Sequence, residues 1–181
     1  MSAVSRASDP LDTYTLSPLQ SDGTRAGGDG HLVVELPTSA GELSTDRVLI
    51  KITPRQAEYL PDARWSEPTP AMVQSLLVQS LLNRGGLELV TRVGAGLTPD
   101  YTLMAEVQAI QAELTGPDQA QVRISMQMTL IRESDRSVAG IRHFENTAKV
   151  TSDSTAALIE GLDGVTQLVL GRIVVWVQTL T

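Results

Sequence analysis

The sequence contains no cysteine, so disulfides, thiolate catalysis and cysteine metal sites are excluded. Histidine is scarce: His31 and His143 lie far apart in sequence, with no spacing motif that supports metal ligation, and both read as ordinary strand histidines. Aromatic residues make up 3%, so any core must be aliphatic. Positive charge is short as well. Fourteen Lys and Arg face 21 Asp and Glu, for a net charge of −7 and a pI near 4.8. No basic stripe exists to neutralise phosphates, which argues against a nucleic-acid partner and against docking on an anionic membrane through charge. Long apolar runs are missing too. Residues 1–30 hold no stretch of signal-peptide length. The C-terminal LVLGRIVVWVQTL is broken by Arg172 and too short for a membrane span, so it reads as the end of a core helix.

What is present suits one globular domain. The chain has 181 residues, of which 41% are hydrophobic, enough for a real core. Residues 1–11, rich in Ser and Asp, read as a flexible linker, and 12–181 as the domain. TYTLSPL carries a short strand pattern, while SDGTRAGGDGH reads as loose.

HLVVELP, at 31–37, and RVLIKIT, at 47–53, are apolar runs stopped by Pro37 and Pro54, and both read as strands joined by a loop. After Pro61, Ser66 or Thr69 can cap a helix in which Val73, Leu76, Leu77, Ser80 and Leu81 form one stripe. Gly85 and Gly86 supply its left-handed stop. LELVTRV, at 87–93, reads as a strand.

Residues 101–114, YTLMAEVQAIQAEL, are ambiguous. Propensity favours helix. Yet Tyr101, Leu103, Ala105, Val107 and Ala109 alternate, then Ile110, Ala112 and Leu114 continue on the opposite phase, as a bulge in a long strand produces. The strand reading is taken because Gly116-Pro117-Asp118 signals a turn and QVRISMQMTLIRE then alternates cleanly. SVAGIRHFENTAKV, at 137–150, returns, which makes an antiparallel meander with one wet face. That face shows Gln121, Arg123, Ser125, Gln127 and Thr129. A last helix opens at Ser152-Asp153-Ser154 and buries Leu158, Leu162, Val165, Val169, Ile173 and Trp176. Gly161, Gly164 and Gly171 weaken it, so packing must hold it, or backbone must approach closely there. The expected fold is α+β: an antiparallel sheet with two helices packed on one face.

Reactive constellations are lacking. Gly94-Ala95-Gly96 leads to a strand and not to a helix, so it does not cradle phosphate. No serine sits in a G-x-S-x-G elbow. Glu35, Glu58, Glu67, Glu106, Glu113 and Glu145 fall on different elements. Met72, Met104, Met126 and Met128 read as core filling, with a lipid-lining groove as the alternative. The Tyr59–Trp65 stretch has two open readings: a partner-anchoring surface, or a staple of the loop onto the first helix.

YTLSP, then YLPDARWSEPTPAMVQSLLVQSLL, then DYTLMAEVQAI, an alternating strand and a final helix with VVWV occur in an order that resembles the ABC-type transport auxiliary lipoprotein family, whose best-known relative is PqiC. The resemblance covers residues 12–180. Its most specific part is Arg64-Trp65-Ser66-Glu67-Pro68, matching R-W-x-E-P. It implies a fold similar to the N-terminal domain of TolB and a non-enzymatic, cofactor-free accessory lipoprotein of the Gram-negative periplasm. Its lipid would anchor it to the outer membrane, and it would serve an ABC transporter complex that moves lipid with an MCE-domain protein. The family's lipidated cysteine would precede the YTLSP strand. Met1-Ser2-Ala3 stands there instead, and the expectation is that leader and cysteine are missing from this chain. Contact with the MCE partner, or between copies in a homo-oligomer, is expected through the wet face (Arg123, Ser125, Gln127) or the stretch holding Tyr59, Arg64, Trp65 and Glu67. A carrier that holds lipid between sheet and helices is the alternative.

Overall fold

The structure, a computed structural model, describes residues 10–21, 23, 28–93, 96–117 and 119–181. Residues 1–9, most of the expected linker, lie outside the described residues, as do Gly94 and Ala95 of the glycine-rich loop and Asp118 of the turn signal.

Strand β7, Tyr101–Gly116, is the axis of the sheet. Along one edge it pairs antiparallel with β8, Gln119–Arg132, which pairs in turn with β9, Ser137–Val150. This is the expected meander. Its register slips between Val107 and Ala109, where the alternation of the sequence changes phase. The bulge is therefore written in the residues: Leu103, Ala105 and Val107 face inward before it, Ile110 and Ala112 after it, and all five are buried.

Three short strands share the other edge of β7. β2, His31–Val34, β3, Thr38–Ser39, and β4, Arg47–Thr53, each run parallel to it. β6, Leu89–Arg92, flanks β2; β5, Gln56–Trp65, flanks β4; and β1, Asp12–Tyr14, flanks β5. The fold is α+β as expected, and the antiparallel order holds for the meander and the β4–β5 hairpin. The whole sheet is mixed. Parallel neighbours need a crossover, and α1, Thr69–Arg84, lies on the path from β4 to β7.

Helix α2, Thr155–Gln178, packs on β8 and β9, while α1 packs on β2 and β6 and against α2. All the stripe residues expected in both helices are buried. Met72, Met126 and Met128 fill this interior, where a carrier would hold its ligand. At Gly161 α2 lies close on the sheet: a Cβ there would stand 2.8 Å from Val150 Cγ2 and 3.3 Å from Val122 Cγ2. Around Gly164 and Gly171 the space is open. Helix α1 ends as expected, with Gly85 and Gly86 at φ of 67° and 94°.

Two expectations need correction. Helix α1 is capped by Pro68, and Ser66 and Thr69 are not the caps; the Thr69 hydroxyl donates to the Thr45 carbonyl instead, at 3.2 Å. The Tyr59–Trp65 stretch, expected as a loop, is part of a strand, β5. Pro61 and Asp62 disfavour strand, but the β4–β5 register slips between Arg47 and Leu49, so no ladder hydrogen bond is asked of Pro61.

Candidate functional site: the outer face of the sheet

Helices cover one face of the meander; the other carries most of the residues expected at a partner contact. Tyr59, Leu49, Gln111, Arg123 and Thr147 lie opposite one another across β5, β4, β7, β8 and β9. Residues in such a row share a face. Tyr59 and Arg123, far apart in sequence, therefore point to the same side. Arg64 joins them, paired with Arg47 one row further along.

Trp65 points the other way. Trp65 is 1% exposed, its side chain in the core, and its backbone N–H donates to the Asp46 carbonyl at 2.6 Å. Ser66 N–H donates to the Tyr14 carbonyl at 2.7 Å. Glu67 accepts from the Ser75 hydroxyl of α1 at 3.3 Å. The R-W-x-E-P stretch thus locks β1, β4 and the start of α1 together. Of the two open readings of this stretch, the fastening role fits the ring of Trp65, while Tyr59 and Arg64 remain on the surface. Tyr59 donates to the Glu42 carbonyl at 3.1 Å, under the Arg47 guanidinium, 5.5 Å from the ring centre. Arg64 donates to Thr13 Oγ1 at 3.2 Å.

The middle of the face is a polar network. Arg123 sits between two carboxylates, 3.1 Å from Glu145 and 3.9 Å from Glu113. Ser125 Oγ is 2.9 Å from His143 Nε2, and Glu145 Oε2 is 3.5 Å from that same nitrogen. Serine, histidine and carboxylate together suggest a nucleophilic relay. A relay needs the acid on one ring nitrogen and the serine on the other; here both meet Nε2. Ser125 is also 2% exposed, beneath Gln108 and His143. It stiffens the network and offers little surface of its own. The two half-exposed ion pairs of Arg123 contribute at most about 1 kcal/mol each.

The other end of the face is apolar, which β8 alone could not show. Met104, Thr129 and Ile141 form one row, Thr102, Ile131 and Val138 the next. Met104 is 41% exposed, Val138 56% and Ile141 62%. A shallow recess of about 190 Å³ lies beside them, lined by Leu36, Met104, Gln127 and Thr129 among others. Part of the signal was in the sequence: Ile141 sits out of phase with the inward Phe144, Ala148 and Val150, whereas Val138 is in phase with them and is turned outward by the register slip between Leu130 and Ile131. At the β8–β9 turn the Asp135 carboxyl is held below its ordinary value, first by the Ser137 side chain and then by the Ser137 N–H, 3.0 Å away.

The histidines are not brought together. His31 is buried on β2 with Nε2 2.6 Å from Thr91 Oγ1, three strands from His143. Among the described residues, no three His, Asp or Glu side chains converge as metal ligands, and no helix is long and apolar enough to cross a membrane.

The model of the ABC-type transport auxiliary lipoprotein component family matches residues 14–174. The chain belongs to this family. The match runs from β1 into α2 and takes in both the R-W-x-E-P stretch and the meander. Solved structures support the fold. A protein of the DUF330 family from Xanthomonas campestris is 20% identical with a TM-score of 0.83, covering 93% of this chain and 96% of its own. The hypothetical protein CT253 from Chlamydia trachomatis is 11% identical with a TM-score of 0.59, over 84% and 98%. A PelC dodecamer from Paraburkholderia phytofirmans gives 18% and 0.52, over 87% and 91%. No curated protein matches the chain in sequence.

Proposed function

We propose that this member of the family is a non-enzymatic accessory lipoprotein of an ABC transport system that moves lipid with an MCE-domain protein, and that it binds its protein partner through the outer face of the sheet. It works in the periplasm, held to the outer membrane by a lipid upstream of β1. The observation that carries the reading is the composition of that face. Three exposed apolar side chains, Met104, Val138 and Ile141, adjoin a polar network built around Arg123 and His143. An apolar patch at one end of the face, continuous with polar groups that can hydrogen-bond, supplies both kinds of contact that protein interfaces combine. The described groups are arranged for docking: the Ser125–His143–Glu145 geometry does not activate a nucleophile. Assembly of several copies is part of the proposal, since PelC of similar fold is a dodecamer and homo-oligomers usually close with point-group symmetry.

The experiment charges the face without touching the core. Ile141→Glu combined with Gln127→Lys is compared with wild type in capture of the MCE-domain protein and in oligomer size by light scattering. Loss of capture or of the oligomer is expected, with melting unchanged. If capture and oligomer size both persist, the outer face is solvated surface and the reading fails.

A further inference from the structure

On the opposite side of the molecule, the exposed flank of α2 and the edge of β9 border an open groove of about 670 Å³. Its apolar wall is formed by Leu168, Val175 and Trp176, and the first two are 59% and 60% exposed. Arg142 and Arg172 stand along it, and Arg84 also belongs to the lining. The lining contains no Asp or Glu, although the chain carries 21 acidic residues against 14 basic ones. Positive charge is concentrated here against the sign of the whole protein.

Two of these cations are held in place. The Arg142 and Arg172 guanidinium carbons lie 5.2 Å and 5.8 Å from the centre of the buried Phe144 ring. Trp176 meets the same ring edge-on at 5.6 Å, and Arg172 donates to the Glu145 carbonyl at 3.0 Å. Among the described residues neither arginine is paired with a carboxylate. Stacking of this kind fixes a guanidinium while leaving N–H donors for an anion. Oriented arginine forks beside an apolar wall suit a ligand with a phosphate at one end and hydrocarbon at the other, and the volume falls within the roughly 300–1,000 Å³ typical of ligand sites.

We infer that the groove between α2 and the edge of β9 binds a single anionic phospholipid, with the phosphate on Arg142 and Arg172 and an acyl chain along Leu168 and Val175. This rests on the groove's own chemistry and not on the outer-face reading.

The test is calorimetric titration of the purified chain with monomeric lysophosphatidylglycerol, lysophosphatidylcholine and inorganic phosphate, each lipid below its micelle concentration. One-to-one binding of lysophosphatidylglycerol is expected, at least about tenfold tighter than lysophosphatidylcholine, because both carry the phosphate but the choline cation of the latter is repelled by the two guanidiniums. Arg142→Gln with Arg172→Gln should erase that preference, and Val175→Glu, at an exposed position, should abolish binding. Ile141→Glu on the outer face should leave binding intact. Equal affinity for both lysolipids, an unchanged preference in the arginine variant, or inorganic phosphate binding as tightly as the lipid would each overturn the inference. So would loss of lipid binding on Ile141→Glu, which would move the lipid to the other face.

Discussion

Replacing Trp65 by alanine separates the two roles once open for the R-W-x-E-P stretch. The ring is 1% exposed and belongs to the same core cluster as Leu60, Ala63 and Met72. A buried tryptophan removes roughly 150–250 Å² from water, worth about 4–6 kcal/mol at roughly 25 cal/mol per Å². Partial collapse of the site and a compact denatured state reduce that figure, and large aromatic truncations fall at about 3–5 kcal/mol. The backbone bonds of residues 65 and 66 to Asp46 and Tyr14 survive the change, so the loss should come from the ring alone. Against a total stability of about 5–15 kcal/mol, Trp65→Ala should bring the protein close to unfolding. Urea denaturation followed by far-ultraviolet circular dichroism reads this without using the deleted fluorophore. The midpoint should fall sharply with the slope unchanged. Trp65→Phe should lie between the two. A loss below about 1 kcal/mol for the alanine variant would refute the reasoning.

Glycines of α2 should respond with opposite signs: Gly161→Ala drives a methyl into Val150 and Val122 and should destabilise, while Gly164→Ala, in open space, should stabilise by about 0.5–1 kcal/mol. Thermal melts of the two variants check both. The Asp135 carboxyl titrates below its ordinary value of 3.8 because of Ser137, so its folded pKa lies beneath its unfolded one. The stabilisation it brings is then fully present above that ordinary value and disappears as pH falls through the folded value. Ser137→Ala should raise the Asp135 midpoint in a carbon-13 carboxyl titration.

Much of the fold was legible because local pattern and tertiary demand agree along the meander and the helices. The phase change near Val107 is the clearest case: a helix-favouring composition concealed a strand, and alternation with one slip gave it away. β5 was illegible for the opposite reason. Its exposed residues Gln56, Glu58, Asp62 and Arg64 carry little strand propensity, and pairing with β4 and β1 decides its conformation. β3, two residues long, pairs only with β7 and leaves almost no pattern. The candidate surface was half legible. Arg123, Ser125 and Gln127 were read as one wet row, but register brought Met104, Val138 and Ile141 alongside, and alternation within one strand cannot say what stands opposite it. Trp65 was noticed for its motif, but the side it faces depends on β5, which the sequence hid.

Methionine oxidation tests the docking claim most directly. Met72, Met126 and Met128 are buried, while Met104 lies exposed in the apolar row of the outer face. Brief peroxide treatment of the chain, alone and bound to the MCE-domain protein, followed by peptide mass spectrometry, reports on that one position. Met104 should oxidise readily in the free chain and be protected severalfold in the complex, with the three buried methionines slow in both. Equal oxidation of Met104 with and without bound partner would place the contact elsewhere and contradict the account.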